Sequence, residues 1–170
     1  MERHTLNKKG SARDILLIGV LLFSFAVAML IAYYMVNTTT DYMLNMTEIN
    51  QSNATTTVLQ AGKDLTNRLD YVFFGLFIGL TLALIITGYF IGGMPIFMFL
   101  YFIVIVISVI LSSILSNVWE DIGTLSVLGA AQVSGFPITT HVMNQLPIYM
   151  AVIGIIGMVM MFAKPFLQQS

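Results

Sequence analysis

The sequence predicts an all-α integral membrane protein. It has four transmembrane helices, a water-exposed helical hairpin extending spans 1 and 2, and a short interfacial helix before span 4. Three observations predict this. Of 170 residues, 58 % are hydrophobic and only 9 % charged, against roughly half apolar and a quarter charged in soluble domains. The apolar residues gather into four runs, each about one bilayer long. Between the first two runs, Met35, Tyr42 and Ile49 lie seven apart with Met46 among them, and Val58, Leu65 and Val72 repeat the spacing with Leu69 among them. That is the period of paired helices.

Residues 1–14 form a basic arm, with Arg3, Lys8, Lys9 and Arg13 against Glu2 and Asp14. The first span is 15–36. As a helix it would rise about 33 Å, enough to cross a bilayer and too long for a signal peptide's apolar region. No small-residue cleavage site precedes Tyr33 and Tyr34, which read as interfacial aromatics. A signal anchor is therefore expected over a cleaved signal.

Residues 37–70 are the longest polar passage and the expected stalk, two helical arms turning near Asn50–Thr56. The second span, 71–91, is stopped by the tight turn 92–95, Gly92-Gly93-Met94-Pro95. The third span, 96–116, must therefore run antiparallel to it. Asn117 to Asp121 marks its exit, with Trp119 read as interfacial ahead of Glu120 and Asp121.

Residues 117–145 form the outer loop. Ile122, Leu125, Leu128 and Val133 give a short apolar stripe, and Ser134-Gly135-Phe136-Pro137 breaks any helix. A helix lying on the membrane surface is the first reading, and a shallow re-entrant segment the second. The fourth span is 146–163, and the tail 164–170 begins at Lys164-Pro165.

Charge sets the expected orientation. The arm, the 92–95 turn and the tail share one side, which holds five of the seven Lys and Arg residues; Lys63 and Arg68 lie on the other. The positive-inside bias puts both termini on the cytoplasmic or equivalent inner face. Asp41, Glu48, Asp64, Asp70, Glu120 and Asp121 then fall outside.

Membrane helices associate through close packing of small residues. Gly75, Gly79, Ala83 and Thr87 form a ridge at steps of four on span 2, and Gly88 and Gly92 lie beside it. Span 3 offers Ser108, Ser112 and Ser116, and span 1 offers Ser24, Ala28 and Ala32. Span 2 is the expected hub. The spacing leaves open whether the ridge packs within the chain or between copies.

Ionisable groups inside spans mark transport paths and proton relays, and no span interior contains one. The chain also has no cysteine, which excludes disulfides and thiolate chemistry. His4 and His141 fall on opposite faces and cannot share a metal. Glu120 and Asp121 are an acid pair of the kind general acid–base chemistry uses, but solvated charge at a helix exit explains them. The motifs of phosphate loops, serine hydrolases and zinc peptidases are absent. No catalytic residue, cofactor or metal site is expected. The scattered methionines, with Met158, Met160 and Met161 clustered, read as lipid-facing or gap-filling side chains.

Four Asn-x-Ser/Thr triplets begin at Asn37, Asn45, Asn50 and Asn53. Asn37 lies too close to the membrane, leaving Asn45, Asn50 and Asn53 as candidate glycosylation acceptors in a host that uses them. A passage rich in Asn and Thr also makes such triplets by chance.

The expected function is non-enzymatic: a structural or assembly subunit of a larger membrane complex, cellular or in a membrane-containing virion. Its partners would be the lipid bilayer and other membrane, surface-layer or capsid proteins, with homo-oligomers allowed. The net charge of -1 argues against nucleic acid. Tyr42, Met46, Ile49, Val58, Leu65 and Leu69 are the expected partner-binding residues of the stalk. The alternative is a homo-oligomeric pore, a channel or holin-type lysis protein, lined by Ser108, Ser112, Ser113 and Ser116. An enzyme or carrier for an apolar substrate is a third class, with no residue in its favour.

Overall fold

The computed structural model describes residues 11–50, 52–91 and 95–167. The arm 1–10 with His4, residues 92–94 with Gly92, and residues 168–170 lie outside the described residues, as do the side chains of Asn50, Thr87, Gly88 and Lys164. Every regular element described is helical: α1 Ser11–Leu44, α2 Thr47–Asn50, α3 Asn53–Thr66, α4 Leu69–Ile91, α5 Pro95–Thr124, α6 Leu128–Gly135, α7 Pro137–Asn144 and α8 Leu146–Leu167.

Among the described residues, three stretches are long and apolar enough to cross a membrane: Ile15–Leu44, Asn53–Ile86 and Phe99–Thr124. Pro137–Asn144 and Leu146–Met160 make a fourth only if that broken pair counts as one span. The long helices expose apolar side chains such as Leu17, Leu21, Phe99, Leu100 and Ile110 while Ser108 and Ser112 are buried. This is the polarity expected of helices solvated by lipid.

The helices outrun the apolar runs. α1 continues through Asn37 and Thr40 to Leu44, and α5 passes Ser116 to end at Thr124. The α1 extension contains no Gly or Pro, and the α5 extension contains only Gly123, one residue from its end, so nothing in the backbone stops either earlier.

The chain forms two compact units, to both of which α1, α4 and α5 contribute. The first draws on Met1–Leu22, Phe77–Ser116 and Gln145–Ser170. Its buried side chains include Ile15, Leu22, Phe77, Leu84, Tyr101, Ile105, Met150 and Ile153. Phe77 and Tyr149 meet edge to face at 5.4 Å. The close approach here is between α5 and α8. A Cβ at Gly154 would lie 2.8 Å from Ile105, and one at Gly157 would collide with the Tyr101 hydroxyl.

The second unit draws on Phe23–Leu76 and Asn117–Asn144. Its buried side chains include Met29, Leu30, Phe73, Trp119, Phe136, Val142 and Met143. Trp119, expected at the membrane interface, is fully buried instead. Continuing α5 past Ser116 turns the indole into this unit. Residues 122–144 also differ from an interfacial helix followed by a loop. α6 and α7 meet at Phe136-Pro137, and both bury residues in this unit. The expected apolar stripe is not their packed face, since Leu125 and Val133 are exposed. Gly129, Ala131, Gln132 and Gly135 are buried instead: the three small residues let backbones approach, and Gln132 is held by a hydrogen bond to the Trp119 carbonyl. A Cβ at Gly129 would strike the Gly123 carbonyl oxygen, and one at Gly135 would lie 2.6 Å from the Tyr33 ring.

Candidate functional site

The stalk is built by letting α1 run into the polar passage and then reversing it. α1 ends at Leu44, where Met46 N–H turns back to the Met43 carbonyl at 3.1 Å. The one-turn helix α2 follows, and α3 starts after Ser52, whose extended backbone (φ -99°, ψ 100°) occupies the N-cap position. The reversal thus spans residues 45–52, slightly earlier than Asn50–Thr56. Asn and Thr cluster there because their short polar side chains compete with helix and favour turns. Asn45 and Asn53 are both exposed at this tip.

Among the described residues one exposed ion pair, Lys63 Nζ to Asp41 Oδ1 at 2.7 Å, links the arms. The half-buried residues of α3 are Thr56, Leu59, Gly62, Lys63 and Thr66, and the helix has no buried residue. On α1, Thr40 is buried and Asn37 half-buried. The apolar residues at seven-residue spacing point elsewhere. Tyr42 is 67 % exposed, Val58 71 % and Leu65 68 %, with Met35, Met46 and Val72 exposed as well. The spacing therefore does not mark a seam between the arms, while Ile49 and Leu69 are half-buried. Each arm thus leaves large apolar side chains exposed beside its exposed polar ones, Asp41 on the first arm and Asn53, Thr57, Gln60 and Asp64 on the second. A stalk folded for water alone has no reason to do so.

At the base of the stalk lies the most heavily hydrogen-bonded side chain in this unit. Asp70, in the first turn of α4, is 3 % exposed. Its Oδ1 accepts from the Thr139 N–H and the Thr139 hydroxyl, each at 2.7 Å, and its Oδ2 accepts from the Ile138 N–H at 2.9 Å. The reason lies in the start of α7. Its N-cap position is Phe136, which carries no side-chain oxygen, and Pro137 at the first helical position has no N–H. The next two N–H groups are orphans that must find an acceptor. Asp70 supplies it from another helix, and its negative charge suits the helix N-terminus. Phe136 itself is fully buried and meets Tyr33 edge to face at 5.1 Å. Beside it, the buried Gln132 donates from Nε2 to the Trp119 carbonyl at 3.0 Å. Charge bias puts Asp70 among the outer acids and does not point to these contacts, because an N-cap supplied from 69 residues away leaves no local pattern. A Pro at a helix start with no Ser, Thr, Asp or Asn before it was the available signal.

The expected packing residues divide. Gly75 and Gly79 face open space, with nothing within 4 Å of a Cβ built on either, so these two glycines mark no close approach among the described residues. Ser108 and Ser112 are buried, and Ser116 is half-buried. Gly154 and Gly157, three apart and so outside any ridge at steps of four, mark the α5–α8 approach.

The chemistry available is limited. The Asp70 carboxylate is fully engaged, and Ser108, Ser112 and Ser113 donate to carbonyls of Val104 or Val109 in their own helix. Among the described residues no group of three or more His, Cys, Asp or Glu could hold a metal. What the geometry offers is a surface, the outward apolar faces of the stalk arms. No protein-family model, curated protein or solved structure matches this chain.

Proposed function

We propose that the chain is a non-enzymatic membrane scaffold, a four-span structural or assembly subunit of a larger complex, cellular or in a membrane-containing virion. The observation that carries this reading is the set of large apolar side chains that the stalk leaves exposed. Met35, Tyr42 and Met46 on one arm and Val58 and Leu65 on the other are exposed, while Lys63, Asp41 and Asp64 show that the stalk stands among solvated charges. Such faces are stabilised when another protein covers them. In this reading both termini lie on the inner face, the stalk stands outside, and α6 rests at the outer membrane interface, with Val133 and the preceding Leu125 toward lipid headgroups. The distribution of Lys and Arg supports that orientation.

The alternative, a homo-oligomeric pore, draws on Ser108, Ser112, Ser113 and Ser116. Hydroxyls that donate to their own helix backbone offer ions a weak substitute for water, which favours the scaffold. The test is purification from the source membrane in mild detergent, followed by reconstitution. A scaffold brings down stoichiometric partner proteins and conducts nothing in bare liposomes. Tyr42→Asp with Met46→Asp, at exposed positions, should abolish partner recovery. Robust single-channel currents from the protein alone would overturn the reading.

A further inference from the structure

The outer face of the second arm has a regularity of its own. Ala54, Val58, Ala61 and Leu65 on α3 follow alternating steps of four and three, and the series runs on through Arg68 to Val72 and Gly75 on α4. All seven are exposed. The opposite face keeps the same alternation, through Thr56, Leu59, Lys63, Thr66, Asp70 and Phe73, and all six are half-buried or buried. The helix thus carries two seams. One faces its own chain and is mostly polar in the stalk; the other faces away and is mostly apolar. The short break between Thr66 and Leu69 leaves both in phase.

We propose that this outer seam pairs with the same seam of a second copy of the chain, as a parallel two-helix coiled coil across a two-fold axis. Four features favour a copy over any other occupant. Copies in one bilayer share an orientation, so each presents residues 54–75 at the same height, and equivalent layers meet without a shift in register. Small residues, Ala54, Ala61 and Gly75, alternate with Val58, Leu65 and Val72, so close backbone approach alternates with filled layers. Arg68 is the one charged residue on the seam, and Asp64, also exposed, lies one turn before it. A pair therefore brings its two guanidinium groups together with two carboxylates one turn, about 6 Å, away, within reach of the long Arg side chains. A single polar layer of this kind fixes register and copy number. Finally, two anchored copies meet at a high effective concentration, which lets a seam of about three heptads suffice. The seam stands whether or not the chain belongs to a larger assembly. The first arm, with Tyr42 and Met46, remains open to other proteins.

The chain has no cysteine, so single cysteines report directly. Val58→Cys, Leu65→Cys and Val72→Cys would be oxidised in isolated membranes beside Gln60→Cys and Asn67→Cys, which are exposed on another face of the same helix. The expected result is conversion of most of the first three to a species of twice the 18.8 kDa chain mass, with the last two staying monomeric. Leu65→Asp, at a position exposed in the single chain, should return the detergent-purified protein from dimer to monomer without unfolding it. Monomer at every position, equal crosslinking at all five, or crosslinking only to a protein of different mass would each overturn the proposal. A crosslinked dimer that brings down no partner would leave the seam standing and count against the scaffold instead.

Discussion

Asp70 grips Thr139 twice, through the backbone N–H and through the hydroxyl, with both bonds to one carboxylate oxygen at 2.7 Å. A residue at the base of the stalk thereby completes a helix that starts 67 positions later, at Pro137. Asp70→Ala would leave the Ile138 and Thr139 N–H groups and the Thr139 hydroxyl without their acceptor in a buried site. The expected cost is about 2 kcal/mol, from the loss of an N-cap and of charge-assisted hydrogen bonds. Asp70→Asn should cost nearly as much, because its amide would turn a donor toward donors. Hydrogen exchange checks this: protection at Ile138 and Thr139 should fall in both variants, with α5 and α8 little changed.

The single tryptophan offers a direct probe of the second unit. Trp119 is fully buried, so its emission should be blue-shifted and insensitive to a water-soluble quencher in the folded protein. Asp70→Ala should make it quenchable at lower denaturant than the wild type. An indole already open to soluble quencher in the native state would contradict its burial.

Glycines at measured close approaches should behave differently from those in the expected ridge. Gly129→Ala sets a methyl group against the Gly123 carbonyl oxygen, which is backbone and cannot swing aside. Overpacking of that kind costs about 1–3 kcal/mol. Gly154→Leu meets Ile105 between α5 and α8 in the same way. Gly79→Leu enters open space and should leave the stability of the single chain unchanged. Thermal unfolding in detergent separates the three. A large loss with Gly79→Leu would show that the ridge is packed in the folded protein.

Lys63→Ala should matter little. Its pair with Asp41 bridges the arms, but the partners are 37 % and 57 % exposed, and such pairs contribute about 0.5 kcal/mol or less. The loss should shrink further in high salt. Unfolding midpoints at low and high ionic strength provide the check.

By itself the sequence determined the class of the fold. Its long apolar runs with few charges admit helices solvated by lipid, because backbone polar groups in hydrocarbon must be satisfied within the segment. It also determined that the passage from Asn37 to Asp70 is helical and reverses, since the seven-residue period survives its Asn and Thr content. Which way those periods face was decided only in three dimensions. Periodicity reports that a stripe exists, and tertiary packing decides whether Val58 or Lys63 turns toward the other arm. The same limit hid the role of Asp70, whose partners are backbone groups distant in sequence, and the burial of Trp119, which follows from α5 running past the point where apolar residues thin out. Tertiary packing likewise chose Gly129, Gly135, Gly154 and Gly157 over Gly75 and Gly79. A small residue permits close approach, but only a neighbouring helix or side chain makes that approach real.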